Sequence, residues 1–80
     1  MIPPRIESVT ALDNFYLEIM YASGEKKLYD MKRLLSFDCY KNLNNPGYFK
    51  LAKSVQTTVE WPNGEDIDPN ELYSNSVLID

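Results

Sequence analysis

Between Phe15 and Tyr21 apolar and polar positions alternate, with Phe15, Leu17, Ile19 and Tyr21 on one side and Tyr16, Glu18 and Met20 on the other. A period of two sends successive side chains to opposite faces, so this segment predicts a half-buried β-strand. Upstream, Ile6, Val9 and Thr10 within Arg5 to Leu12 predict a first strand that ends at the turn pair Asp13-Asn14. Downstream, Ser23-Gly24 offers a residue able to take positive φ, and Lys26 to Tyr29 reads as a third strand returning through a hairpin. These three strands make an antiparallel meander.

Asp30 can cap a short helical turn over Met31 to Leu35, in which Met31, Leu34 and Leu35 share one face. Ser36 to Asn44 has no period and reads as irregular. Asn45-Pro46 combines a capping side chain with a proline at the first helical position, which predicts a helix of about two turns ending near Lys53. Val55, Thr57, Val59 and Trp61 then alternate with Gln56, Thr58 and Glu60, and predict one continuous strand. Trp61-Pro62-Asn63-Gly64 should reverse the chain, so that Glu65 to Ile67 runs back beside that strand. Asp68-Pro69-Asn70-Glu71 has the spacing of a capping box and opens a short helix through Leu72 and Tyr73. Val77 to Ile79 is an apolar tail, either a docked edge strand or a frayed end. The expected fold is α+β: an antiparallel β-meander plus a β-hairpin, a single-layer sheet with two or three short helices on one face. Without repeat, low-complexity tract or linker, residues 1–80 read as one domain.

Composition sharpens this outline. A chain of 80 residues buries a small core, so its stability margin is narrow, and domains of this size often add disulfides, a metal or a second subunit. Cys39 is the lone cysteine and histidine is absent, so neither an internal disulfide nor a zinc site of the usual ligands is expected. Cys39 itself reads as a small buried hydrophobe. A homodimer is therefore expected, with the apolar tail as its contact. No stretch has the length and apolarity of a membrane span, and the N-terminus lacks the apolar run of a secretion signal, which makes the cytoplasm the default location and a membrane partner unexpected. A net charge of −4 gives no general attraction to nucleic acid.

Charge is unevenly distributed. All 8 Lys and Arg residues fall between Arg5 and Lys53, whereas Ser54 to Asp80 carries Glu60, Glu65, Asp66, Asp68, Glu71 and Asp80 without a base. Such asymmetry marks a candidate surface for a basic partner protein, with Glu65, Asp66, Glu71 and Tyr73 as its members. Trp61, Pro62, Asn63, Gly64, Asp68 and Pro69 are the turn and cap residues that shape it. Phe15, Tyr21, Phe49 and Trp61 are expected in the core, and Tyr16, Tyr40 and Tyr73 at contacts.

The residues offer little for catalysis. Without histidine there is no Ser/His/Asp or Cys/His arrangement, and no Gly-rich phosphate loop occurs. Asp66, Asp68 and Asn70 match the opening of a calcium loop, but the glycine that should follow is Glu71 and the closing glutamate is Val77. No metal and no cofactor are expected.

From Val59 through Trp61, Asn63-Gly64, Asp66, Pro69 and Leu72-Tyr73 to Ser76, the tail resembles the signature that closes the domain-of-unknown-function 2442 family. Pro4-Arg5-Ile6 with Val9, the Leu17 to Tyr21 strand, Gly24, Tyr29-Asp30 with Leu34-Leu35, and Phe49 fit that family's order of elements. The resemblance implies a compact, mostly bacterial α+β domain without an established activity, standing alone or beside another small protein. Some members carry a following helix-turn-helix segment, which implies regulatory or toxin–antitoxin-like settings. No such segment lies within these residues, so nucleic-acid binding is not expected of this domain alone. The leading expectation is a non-enzymatic protein-interaction or regulatory module. A small-ligand sensor, with rings such as Trp61 and Tyr73 lining a pocket, comes second, and a carboxylate-dependent enzyme third.

Overall fold

The computed structural model describes residues 2–79. Its strands are β1 (Ile6–Ala11), β2 (Tyr16–Tyr21), β3 (Lys26–Asp30), β4 (Lys53–Val55), β5 (Thr58–Glu60) and β6 (Val77–Leu78), and its α-helices are α1 (Pro46–Phe49) and α2 (Pro69–Asn75). The meander forms as expected, with Val9 opposite Ile19, Leu17 opposite Tyr29 and Ile19 opposite Lys27. The apolar tail resolves to a docked edge: β6 pairs antiparallel with β3, giving a four-stranded sheet of order β1-β2-β3-β6. The hairpin β4–β5 is a separate two-stranded sheet, and the class is α+β.

Alternation decides what is buried. Leu17, Ile19, Tyr21 and Tyr29 lie on the inner face of the meander and are sealed from solvent. Met31, Leu35, Leu43, Phe49, Val59, Trp61, Ile67 and Leu72 complete one continuous core with them, so the helices and the second hairpin cover one face of the sheet. The opposite face, with Tyr16, Glu18, Met20 and Leu28, is half-buried.

Several elements differ from the sequence reading. Phe15 does not open β2. It lies in the tight turn Asp13–Phe15, where Asn14 and Phe15 both take positive φ, 64° and 63°. A bulky side chain in the left-handed region costs on the order of 1 kcal/mol or more. That geometry is held by Leu12 N–H donating to Tyr16 O at 2.8 Å, by Met31 N–H donating to Phe15 O at 3.0 Å, and by the Phe15 ring meeting Phe49 edge-on at 5.2 Å. The helix at Asn45-Pro46 has a single turn. The Asn45 side chain accepts from Gly47 N and Tyr48 N as a cap, but Lys50 already closes the helix, and β4 begins three residues later at Lys53.

The continuous strand expected from Val55 to Trp61 is a hairpin. β4 reverses into β5 through Gln56 and Thr57, with Gln56 at φ 53° and Val55 opposite Thr58. The apolar-polar alternation of the sequence continues through the loop, which is why the pattern read as one strand, but pairing Val55 with Thr58 reverses the parity and puts Val55 on the face opposite to that of Val59. Val59 and Trp61 are buried, while Val55 is exposed. The irregular stretch contains a 3₁₀ segment, Asp38–Asn44. Its period of three turns Tyr40 and Leu43 inward and leaves Cys39 exposed, contrary to the expected buried thiol. The short helical turn after Asp30 is also 3₁₀, Lys32–Leu34, with Asp30 Oδ1 accepting from Lys32 N at 2.9 Å.

The turn after Trp61 forms as read: Gly64 N–H donates to Trp61 O at 2.9 Å, Trp61 N–H to Glu65 O at 2.8 Å, and Asp66 bridges Glu60. Gly64 takes φ 97°, and a Cβ there would meet nothing within 4 Å. Gly64→Val should therefore cost about 1 kcal/mol or more through backbone strain alone, whereas Gln56→Gly, which relieves the same strain, should stabilise by about 0.5 kcal/mol. Urea midpoints moving in opposite directions for the two variants would bear this out.

Candidate functional site

α2 carries two members of the predicted surface, Glu71 and Tyr73, and both are engaged by the sheet. Asp68 caps the helix by accepting from Glu71 N–H at 3.0 Å. The reciprocal half of the capping box is missing because the Glu71 carboxylate turns to the meander. There it accepts from the Tyr29 hydroxyl at 2.8 Å, pairs with Arg33, and takes the Asn75 amide at 2.7 Å. Burial, then the bond to Glu71, pushes the Tyr29 phenol up to about 12. The Tyr73 hydroxyl donates to Glu25 Oε1 at 2.7 Å, and its ring stands edge-on to Tyr21 at 5.0 Å.

Lys27 completes this arrangement. It lies on the inner face, opposite Ile19, and is only 8% exposed. A buried ammonium needs compensation, and finds it at the C-terminal turn of α2: Nζ donates to Tyr73 O at 2.7 Å and sits 3.8 Å from the centre of the Tyr73 ring. Sequence reasoning missed Lys27, although its spacing of two from Tyr29 already placed it on the buried side. The Tyr21 hydroxyl is buried without a partner among the described residues, and burial, with Tyr73 and Glu25 nearby, raises its pKa to about 12.

The other predicted members, Glu65 and Asp66, follow the reversal Trp61-Pro62-Asn63-Gly64 and meet different partners. Glu65 accepts from the Tyr48 hydroxyl at 2.6 Å and the Asn42 amide at 3.3 Å, while the Tyr48 oxygen accepts from Asn63 N–H at 2.9 Å. Burial works to raise the Glu65 pKa, but these hydrogen bonds outweigh it and hold the carboxyl below its usual range. Asp66 is bound through its backbone alone, its carbonyl accepting from the Tyr40 hydroxyl at 2.7 Å, and its side chain is exposed. Of the expected contact tyrosines, Tyr16, Tyr40 and Tyr73 are all half-buried. Glu65 and Glu71 are thus fasteners within the molecule, and among the described residues Asp66 and Asp68 are the members of the acidic stretch left facing solvent.

Elsewhere, Val77, Leu78 and Ile79 are exposed along the open side of β6. A cleft of about 250 Å³ lies between the Asp13–Phe15 turn and α1. Trp61 lines no such space: it is 1% exposed, its indole N–H donating to Phe49 O at 2.8 Å. Among the described residues no cluster of three or more Cys, Asp or Glu side chains is placed to hold a metal, and no helix is long and apolar enough to cross a membrane.

A small α+β domain of meander, hairpin and two short helices, tied together by side-chain carboxylates, is the class these features define. The chain belongs to the family described as protein of unknown function DUF2442, whose profile matches residues 6–77. No curated protein and no solved structure matches it.

The fasteners set two expectations. Glu71→Ala removes the acceptor of a buried phenol and should cost about 1–3 kcal/mol, whereas Asp66→Ala should be nearly silent; urea unfolding distinguishes them. Glu65 and Asp30, the latter pushed up by burial but pulled lower by its bonds to Lys32, have folded pKa values below their ordinary 4.5 and 3.8. Their contribution is therefore complete above those values and lost as pH falls through the folded ones. Tyr21 and Tyr29, raised from 10.0, act in the opposite sense. The melting temperature should be level from neutral pH to about 5, fall below 4.5, and fall again as pH rises from 10 toward 12.

Proposed function

We propose that this domain is a non-enzymatic protein-interaction or regulatory module that works through the open edge of its sheet. The observation that carries this reading is β6. Val77 and Leu78 are 65% and 57% exposed on a strand paired on one side only, and Ile79 just after it is 45% exposed. Ile79 N–H donates inward to Lys26 O at 2.9 Å, so by alternation the Leu78 N–H and C=O point away from β3. Natural edges are usually protected by lysine, proline or a bulge. From Ser74 to Ile79 there is no charge and no proline.

The occupant that fits is a second copy. Two β6 strands meeting antiparallel about a two-fold axis exchange Leu78 N–H and C=O with each other and bring no like charges together. So short a seam buries little area, which implies a weak dimer with a dissociation constant on the order of 10⁻⁴ M. The carboxyl groups weigh against an enzyme: Asp13, Glu25, Asp30 and Glu65 are each held below their ordinary range, opposite to what a general acid requires. A basic partner protein, such as a small neighbour in a toxin–antitoxin-like pair, is favoured only by the exposed Asp66 and Asp68.

Sedimentation equilibrium should show the parent dimerising at high micromolar concentration. Leu78→Pro, which deletes an outward N–H and leaves the β3 ladder intact, should return it to a monomer with a nearly unchanged melting temperature. A parent that stays monomeric throughout, or a proline variant that dimerises equally well, would overturn the edge-pairing reading.

A further inference from the structure

The cleft between the Asp13–Phe15 turn and α1 has a composition that neither edge pairing nor the core explains. Its walls are apolar, from Leu12, Phe15, Pro46 and Phe49, and its mouth carries one acid and one base, Asp13 and Lys50, whose Oδ1 and Nζ lie 2.9 Å apart. The turn is kept in an unfavourable conformation, with Asn14 and Phe15 both at positive φ. That conformation seats the Phe15 ring against Phe49 and places Asp13 beside Lys50. At about 250 Å³ the space falls below the roughly 300 Å³ at which pockets for drug-sized molecules begin.

We propose that this cleft binds a free α-amino acid with an apolar or aromatic side chain. The side chain would lie on Phe15, Leu12 and Pro46, with the buried Phe49 ring backing them, while the α-carboxylate meets Lys50 and the α-ammonium meets Asp13. Charge balance selects the zwitterion. A simple carboxylate reaching Lys50 would displace Asp13 and leave two anions around one cation, and a simple amine would strand Lys50 in the converse way. A zwitterion exchanges the one internal pair for two external ones and leaves no charge uncompensated. Opening the internal pair is inexpensive because both partners are largely exposed, with side-chain accessibilities of 52% for Lys50 and 89% for Asp13. None of these residues belongs to β6, so the inference stands independently of edge pairing.

The test is a titration of the ¹⁵N-labelled chain with L-phenylalanine, followed at the amides of residues 13–15 and 47–50. Phenylacetate, phenethylamine and glycine serve as comparisons, each lacking one of the three recognised parts. L-Phenylalanine should give saturable shifts confined to that region in the millimolar range; phenylacetate and phenethylamine should bind about three- to fivefold more weakly, the value of one exposed charge contact, and glycine, which lacks the ring, about tenfold or more. Asp13→Asn should reduce the affinity for L-phenylalanine to that for phenylacetate, and Lys50→Gln to that for phenethylamine, with dispersed spectra verifying that both variants fold. Absence of saturable shifts, phenylacetate binding as tightly as L-phenylalanine, or variants that bind at the parental affinity would overturn the proposal.

Discussion

The single-turn helix and the short hairpin that follows it depend on the burial of Trp61. Three-residue strands and a single helical turn have no stability of their own, yet β4, β5 and α1 occupy fixed places because one large ring joins them. The indole N–H donates to Phe49 O, which fixes the end of α1 relative to the exit of β5, and the indole stacks on the Phe49 ring with centroids 5.9 Å apart. Phe49 in turn meets Phe15. A line of rings thereby runs from the hairpin through the helix to the turn between β1 and β2. Phe15 makes this contact from a left-handed backbone, whose cost the ring contact helps to offset.

α2 is held by a different kind of contact. Leu72 is its fully buried apolar anchor, and the rest of its attachment is polar. Glu71 reaches Tyr29 and Arg33 at one side, and the carbonyl of Tyr73 receives Lys27 at the other. The acid sits in the first turn of the helix and the ammonium at its last turn, the polarity that the helix dipole favours at each end. Because polar contacts have strict geometry, they fix the orientation of a two-turn helix that one leucine could only hold down. β6 follows α2 directly, so the open edge inherits its position from these same bonds.

How much of this was legible depends on whether the deciding signal was local. The meander, the Trp-Pro-Asn-Gly reversal and the Asn45 and Asp68 caps are set by neighbouring residues and could be read. The β4–β5 reversal was hidden because Gln56 has no preference for positive φ, and the sequence keeps alternating through the loop although the reversal turns Val55 to the face opposite to that of Val59. Phe15 was misplaced for a related reason: it fits the period of β2, and only its distant partner Phe49 draws it into the turn. The acids at Glu65 and Glu71 were recognised as a distinct feature, but their partners Tyr48, Tyr29 and Arg33 lie far away in sequence and carry no mark of the pairing.

That last failure bears on what charge asymmetry along a chain means. The base-rich first part and the base-free last part look like a surface awaiting a partner when laid out in a line. In the fold the last part lies on the first, and each half supplies what the other lacks: Arg33 to Glu71, Lys27 to the end of α2, and the phenols of Tyr29 and Tyr48 to Glu71 and Glu65. Segregated charge can thus direct a chain to close on itself as readily as it directs two chains together, since the same Coulomb attraction acts in both cases and the intramolecular contact forms without the entropy loss of association. An asymmetric sequence therefore argues for an external partner only in proportion to the charges that the folded molecule leaves unmatched. Among the described residues, the exposed acids of that stretch are Asp66 and Asp68, while the apolar edge that no described element covers is the stronger invitation to a second chain.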